Sequence, residues 1–403
     1  MNTMNADFSP RRRAPALDVA IVGGGMVGAA AALALARSGF SVALLEARAP
    51  SPWDAHVEVD LRVVGLAPSS MTLLHKLDVW TAIRSARIGP YRHMHVWDAE
   101  SGAAIEFDAA SEGRDMLGCI VENSLVQWTL WQALEAAGVR KMCPAEVTGF
   151  EAREDRITLE LADGNVLAAR LLVAADGAAS PLRQLAGIGT RGRDYAQRAV
   201  VAHVCTERAH DSTAWQRFLP SGPLALLPLA DGRSSLVWSL PQAEAERVLA
   251  LDDQAFLDEL GLATDFRLGR ITATTARATF PLKLQLAERY QSDRLVLLGD
   301  AAHAVHPLAG QGVNLGLRDV SELRDTLIAA RVAGSDIGAA HVLRRYARRR
   351  RSEDTLDAMS FDALARIYAW QSPLLLAARG FGVRLLNRLA PMKRRISEHA
   401  AGR

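Results

Sequence analysis

Asp18 to Glu46 reads DVAIVGGGMVGAAAALALARSGFSVALLE, and this stretch decides the fold. Asp18 to Val22 is a short apolar strand. Gly23, Gly25 and Gly28 follow in GxGxxG spacing, and Ala29 to Arg37 is a helix rich in small residues. Gly39 ends that helix, Ser41 to Leu45 is a second strand, and Glu46 closes it. Each piece has a task. Gly23 permits the tight turn, Gly25 lets the backbone approach a pyrophosphate, and Gly28 lets helix and strand pack closely. Glu46 accepts hydrogen bonds from a ribose diol, and its charge disfavours a 2′-phosphate, so NADP is not the ligand of this loop. The reading predicts an α/β, Rossmann-like nucleotide domain.

Far downstream, Arg294 to Leu298 (RLVLL) is another buried strand, and GDAAHAVHPLAGQGVNLGLRD follows from Gly299 to Asp319. Asp300 sits at the strand's end. Small residues, Pro307 and the run Ala309-Gly310-Gln311-Gly312 come next, and a helical pattern begins at Val313. This layout suits a loop whose backbone N–H groups and helix N-terminus face a flat, anionic ligand. The first motif serves NAD and FAD alike; the second separates them.

Between the two motifs the pattern is mixed. Arg62, in Asp60 to Ser70, reads equally as a flavin-side contact or a surface arginine. Met116 to Leu134 runs from strand into helix, with Gln127 one turn inside. Glu146 to Leu161 alternates as strands do, and Asp163-Gly164 makes a hairpin turn. Arg170 to Ala174 is a buried strand that ends at Asp176-Gly177, with Ser180 and Arg183 beyond. That position favours a cofactor loop over a plain turn. Residues 195 to 285 look mainly β, with a helical insertion at Ala250 to Leu262, and suit a sheet that walls a pocket. Beyond Asp336 the chain reads as helical, over Ala339 to Arg351 and Ser372 to Met392.

Composition narrows the class. The chain has 403 residues, 49% of them hydrophobic, and a net charge of +2. That balance gives no reason to expect nucleic acid. Residues 341–403 carry 14 Arg/Lys against 5 Asp/Glu, which leaves −7 on the rest. Cys119, Cys143 and Cys205 are widely spaced, so a disulfide framework or zinc site is disfavoured. No apolar run reaches the roughly 20 residues of a membrane span, and the N-terminus lacks a signal-peptide core. Residues 1–15 are expected to form a flexible arm, and the protein to be cytoplasmic.

Together GGGMVG (23–28), LGCIVEN (117–123), Asp176-Gly177, WQRFLPSGPLALLPL (215–229), FPL (280–282) and GDAAHAVHPLAGQGVNLG (299–316) resemble the ubiquinone-biosynthesis hydroxylases. These are class A flavoprotein monooxygenases with the p-hydroxybenzoate hydroxylase fold. The resemblance runs from about Val19 to the C-terminus. It implies a glutathione-reductase-type FAD domain, discontinuous in sequence (16–85, 120–190 and 286–335). A β-rich substrate domain (86–119 and 191–285) is inserted in it, and a C-terminal helical segment (336–403) follows. It further implies that Gly23, Gly25, Gly28 and Glu46 hold the ADP half of FAD. Arg62 and Gln127 become further contacts, and Asp176 and Gly177 support the pyrophosphate region. Asp300 binds the ribityl or pyrophosphate portion. Pro307, Gly310, Gln311, Gly312, Val313 and Asn314 border the isoalloxazine. Gly65 departs from the family pattern and is expected to loosen the loop after Arg62.

By the same resemblance, NAD(P)H reduces FAD, O2 adds to the flavin, and a C4a-hydroperoxide hydroxylates a polyprenyl phenol, with the C5 or C6 ring position favoured. The chemistry lies with the flavin, assisted by backbone donors near Gly312, Val313 and Asn314. No side-chain dyad is expected. His303 and His306 read as loop packing, since the sequence offers no nearby third metal ligand. Tyr195 and Gln197 border the substrate ring or serve core and surface roles; Trp215 and Phe218 read as pocket wall or core. The Arg-rich helix 339–351 is read as packed on the FAD domain. The segment from Ser372 to Arg395 is read as contacting the inner membrane surface or other quinone-biosynthesis proteins. The competing readings are an FAD reductase or dehydrogenase of the same fold and a scaffold of a quinone-biosynthesis complex.

Overall fold

The computed structural model describes residues 17–304, 312–368 and 372–402. The expected arm at 1–15 lies outside them.

The first sheet grows from Leu17–Val22. This strand pairs in parallel with Val42–Leu45 on one side and Val166–Ala174 on the other. Arg140–Met142 extends the sheet beyond the second strand, and Leu295–Leu297 extends it beyond Val166–Ala174, both in parallel. Three distant chain segments therefore lie side by side. Both faces are covered, which is why these strands read as unbroken apolar runs. Val19, Ile21, Leu44, Leu171, Val173 and Val296 point to one face and pack in one core with the helices. Ala20, Ala43, Leu45, Leu172, Leu295 and Leu297 point to the other, against the hairpin Val147–Ala152 and Ile157–Leu161.

Helix Met26–Arg37 is the central helix of the first face. It touches helices Asn123–Ala136 and Gly312–Val332. Five of its six alanines, Ala29 to Ala32 and Ala34, are buried. Small side chains let three helices crowd one another here.

A second sheet runs in the order His303–Ala304, Ala278–Ala287, Thr190–Thr206, Ser234–Pro241, Gly222–Pro228, Thr213–Leu219, His93–Asp98, Ala104–Asp108. Its outer face carries Val200, Leu224, Leu226, Trp238 and Leu240. These pack on helices Gln242–Ala250 and Asp253–Ala263. The single insertion expected at 250–262 is thus two helices, the first beginning earlier. Asp252 caps the second by accepting the Ala255 N–H at 2.8 Å, a capping acid that the period reading passed over. A small sheet of Val63–Leu66, Gly118–Glu122 and Gly89–Tyr91 joins the two large ones. Gly65 lies inside its first strand, opposite Ile120. The loosened loop expected there is instead a paired strand.

At the C-terminal end, helix Ala340–Tyr368 extends well past the 339–351 expected. The 372–392 pattern is two helices, Pro373–Arg388 and Ala390–Ala400, divided at Leu389 just before Pro391.

Candidate active site

The turn after the first strand is shaped by what it lacks. Gly23 has φ +105°, and a Cβ there would lie 2.3 Å from the Ala175 carbonyl oxygen. A Cβ at Gly28 would lie 1.9 Å from the Gly23 carbonyl oxygen. The fold itself demands both glycines. Gly25 differs. Its φ of −66° suits any residue, and an added Cβ would meet no atom of the described residues within 4 Å. The absent side chain leaves a cradle in front of the helix N-terminus, where the backbone can approach an anion.

The other expected contacts converge on this turn. Glu46, past the end of Val42–Leu45, accepts the Gly24 N–H and, at 3.0 Å, the Arg48 N–H. The Gln127 amide donates to the Gly24 carbonyl at 2.9 Å. Asp176 follows the neighbouring strand Val166–Ala174. Its carboxylate accepts the Ser180 hydroxyl at 2.6 Å and the Leu182 N–H at 3.1 Å, capping helix Pro181–Leu185. Asp176 thus shapes its loop, and Gly177 at φ +85° turns the chain. Arg183, buried beyond it, donates to the Ala178 carbonyl at 2.8 Å and the Ala301 carbonyl at 2.9 Å. It ties the 176–178 loop to the 299–303 turn.

That second turn is shaped by what lies beneath it. Asp319, fully buried on helix Gly312–Val332, accepts the Gly299 N–H at 2.8 Å and sits 2.7 Å from His303 Nε2. Arg350, from helix Ala340–Tyr368, is 2.6 Å from the other Asp319 oxygen and also bonds Asp354. Burial opposes a charge on His303, but Asp319 and Asp354 outweigh it and lift the imidazole to about 9. Burial likewise opposes charge on Asp319, and His303 and Arg350 still hold it below the usual range. His303, Asp319 and Asp354 bring three ligand atoms within 4.8 Å of one another. The expectation that no third ligand stands near His303 is corrected: Asp319 and Asp354 arrive from two helices. Burial pushes the Asp354 carboxyl up to about 7, and Arg350 with His303 supplies the positive charge that the buried Asp319 requires. His303 is a buried packing and hydrogen-bonding group, as read from the sequence.

Asp300 is exposed on one side while protein crowds its other sides. That crowding pushes its carboxyl up, and His303 and Arg62 oppose the shift. The Arg62 guanidinium stacks 5.8 Å from the Phe280 ring centre, which brings the small sheet, the second sheet and Asp300 to one place. Helix Gly312–Val332 begins beyond the turn. Among the described residues, an added Cβ at Gly312 would meet no atom within 4 Å, as at Gly25. The Asn314 side chain is held by three hydrogen bonds to the 65–70 segment. It accepts the Ala67 N–H at 2.9 Å and the Ser70 hydroxyl at 2.7 Å, and donates to the Gly65 carbonyl at 2.7 Å. Any role of Val313 and Asn314 toward a ligand is left to their backbone. His306, Pro307, Gly310 and Gln311 lie outside the described residues.

Comparison with known proteins agrees with this geometry. The model of a family described as "FAD binding domain" matches residues 16–355. The chain belongs to this FAD-binding family. It is 39% identical to 3-demethoxyubiquinol 3-hydroxylase of Escherichia coli (strain K12), over 96% of this chain and 98% of that protein. It is 37% identical to ubiquinone hydroxylase UbiL of Rhodospirillum rubrum, covering 96% and 89%. Among solved structures, p-nitrophenol 4-monooxygenase PnpA from Pseudomonas putida DLL-E4 superposes with a TM-score of 0.75. The match covers 95% of this chain and 97% of that one at 20% identity, and it shows a shared fold. This flavoprotein is an FAD-dependent monooxygenase, as expected. The cradle at Gly25, the acid at Glu46 and the open helix start at Gly312 fit FAD.

The inner face of the flavoprotein's second sheet looks toward this site. Strand register places Ile105, Val96, Gln216, Ala225, Val237, Val201 and Ala278 in one row. A second row carries Phe280 and Ala199 at one end and Phe218 and Asp98 at the other. Gln197 is on this face and donates to the Ser221 carbonyl at 3.1 Å. Tyr195 lies in the irregular stretch where the register shifts between Asp194 and Gln197. Trp215 points to the opposite face, packed on the outer core, so it is core; Phe218 faces inward with Val96. Sequence reading missed Asp319, Arg350 and Asp354. One signal was present: an aspartate inside the otherwise apolar face Leu315, Leu317, Val320, Leu323.

Proposed function

We propose that this chain hydroxylates the ring of a polyprenyl phenol in ubiquinone biosynthesis, at the C5 or C6 position, with NAD(P)H as electron donor and O2 as oxidant. The similarity to 3-demethoxyubiquinol 3-hydroxylase over 96% of the chain carries this reading. The apolar inner sheet face supports it, since a phenol ring needs a wall that excludes water.

FAD supplies the oxygen-activating chemistry when bound. The chain's part is to bind, orient and shield. In this reading Gly23, Gly25, Gly28, Glu46 and Gln127 form the ADP end, with Asp176 and Gly177 holding the adjoining loop. Asp300 and Arg62 flank the middle. Backbone N–H groups at Gly312, Val313 and Asn314 aim about half a positive charge at the place where negative charge collects. The segments 16–85, 120–190 and 286–335 act as the FAD unit, and 86–119 with 191–285 as the substrate unit. Among the described residues no helix is long and apolar enough to cross a membrane. In this reading the protein is cytoplasmic, and its 336–403 segment contacts the inner membrane surface or other quinone-biosynthesis proteins.

The test is NAD(P)H consumption and O2 uptake by the purified protein with a tail-less methoxyphenol, with the product read by mass spectrometry. The expected result is a product one oxygen heavier, formed in step with O2 uptake. NAD(P)H oxidation without oxygen in the product would favour the reductase reading. No flavin reduction at all would favour the scaffold.

A further inference from the structure

The C-terminal helices are turned inside out. A helix packed on a protein ordinarily buries an apolar stripe and exposes its charges. Helix Pro373–Arg388 instead buries Arg379, which donates to both Asp98 carboxylate oxygens at 2.8 Å and to Glu100 at 3.2 Å. Asn387 on the same helix accepts the Glu106 N–H at 3.3 Å. In helix Ala390–Ala400, the buried Ser397 donates to Glu112 at 2.7 Å. These polar contacts fix which side faces the protein.

The other side is greasy. Phe381 is 65% exposed and Met392 52%, with Leu385, Leu389 and Ile396 between 38% and 44%. Phe381 and Leu385 lie four residues apart on one face of the first helix, Met392 and Ile396 four apart on one face of the second, and Leu389 is exposed at the break between them, so the stripe is in two parts. Basic residues flank it. From Phe381 to Ile396 there are five Arg or Lys and no Asp or Glu; Arg384 and Arg395 are exposed next to the stripe, while Arg394, two residues from both Met392 and Ile396, lies on the opposite side of its helix and pairs with Glu398 at 2.9 Å. A second copy of the chain would set this charge against itself, which disfavours a dimer through this face. An anionic lipid surface accepts both the stripe and its rim.

We infer that Phe381, Leu385, Leu389, Met392 and Ile396 form the face by which this protein seats in an anionic bilayer. Position adds a reason. Asp98, which holds Arg379, lies beside Phe218 on the inner face of the second sheet. The seated helix therefore stands at the edge of the wall assigned to the phenol. This names the partner and the face of the peripheral contact proposed above, and rests on that reading for the bilayer as the source of substrate.

The test uses the full-length, FAD-loaded protein and vesicles of phosphatidylcholine, alone or mixed with phosphatidylglycerol. Sedimentation should show binding to the mixed vesicles and weaker binding to the neutral ones. Phe381→Ser with Leu385→Ser should lower binding to both kinds at least tenfold, on the order expected for two apolar side chains. Arg384→Gln with Arg395→Gln should lower binding to the mixed vesicles roughly tenfold and leave the neutral ones alone. Hydroxylation of the tail-less phenol should be unchanged in both variants, which shows that they fold. Wild-type binding by both variants would overturn the inference. So would a halving of particle mass in solution for Phe381→Ser, which would assign the face to a second copy. Vesicle binding without hydroxylation would sink the proposed reaction and leave this face standing; hydroxylation without vesicle binding would do the reverse.

Discussion

Two turns border the proposed FAD site, and they are built on opposite principles. The 23–28 turn is made by absence: side chains are missing where the backbone must cross itself or stay open. The 299–303 turn is made by presence: a buried histidine, two buried aspartates and a buried arginine hold it from below. A missing Cβ is a local property and is written locally. A charge quartet is distributed over Gly299 to Asp354, and its members mean nothing until two helices bring them together. The first kind of site fails by collision, the second by leaving charge uncompensated.

Four measurements press on this difference, in falling order of expected effect. Arg350→Met strands two buried carboxylates with His303 as their cation and should cost about 3–5 kcal/mol in chemical denaturation. A cost below about 1 kcal/mol, the range of an exposed pair, would show that the quartet is not what holds the second turn. Gly28→Ala drives a methyl group to 1.9 Å from a carbonyl oxygen. It should cost about 1–3 kcal/mol and yield protein with little copurifying flavin; a yellow, wild-type-stable variant would break the steric account.

The third measurement uses pH. His303 is lifted to about 9, above the ordinary value of about 6.5. In that interval the folded state holds a proton the unfolded state has lost. Its stabilisation is complete below about 6.5 and disappears as pH rises through about 9. The thermal midpoint of wild type should fall across this window more steeply than that of His303→Gln; parallel curves would refute a protonated His303. The smallest effect is the sharpest. Gly25→Ala should leave the apoprotein within about 0.5 kcal/mol of wild type and still weaken FAD binding in a fluorescence titration. Destabilised apoprotein would mean that Gly25, too, is a demand of the fold.

The same contrast explains what was legible in sequence. The strand–glycine–helix–strand–acid unit was readable because its signals all fall within 29 residues, although the atom that Gly23 must clear belongs to Ala175. The Asp176 loop and the Asp300 turn were readable as positions, each following an apolar strand. Their chemistry was not. Asp176 spends its carboxylate on a helix cap, and Asn314 spends its amide on the 65–70 segment. A polar residue in a motif does not announce whether it faces ligand or backbone. The split of the 372–392 pattern at Leu389, and the two helices at 242–263, were blurred because apolar periodicity continues across both breaks.

The parallel pairing of Leu295–Leu297 with Val166–Ala174 has a consequence during synthesis. While a ribosome makes the 120 residues that separate these strands, the nascent chain already holds its glycine turn but presents a bare strand edge at Leu172 to Ala174. Such an edge invites pairing with other chains, and domains generally fold as units as they emerge. The central sheet of this protein therefore closes late, after about three quarters of the chain has been translated. Helper proteins that shield unfinished sheets have their longest opportunity in that interval.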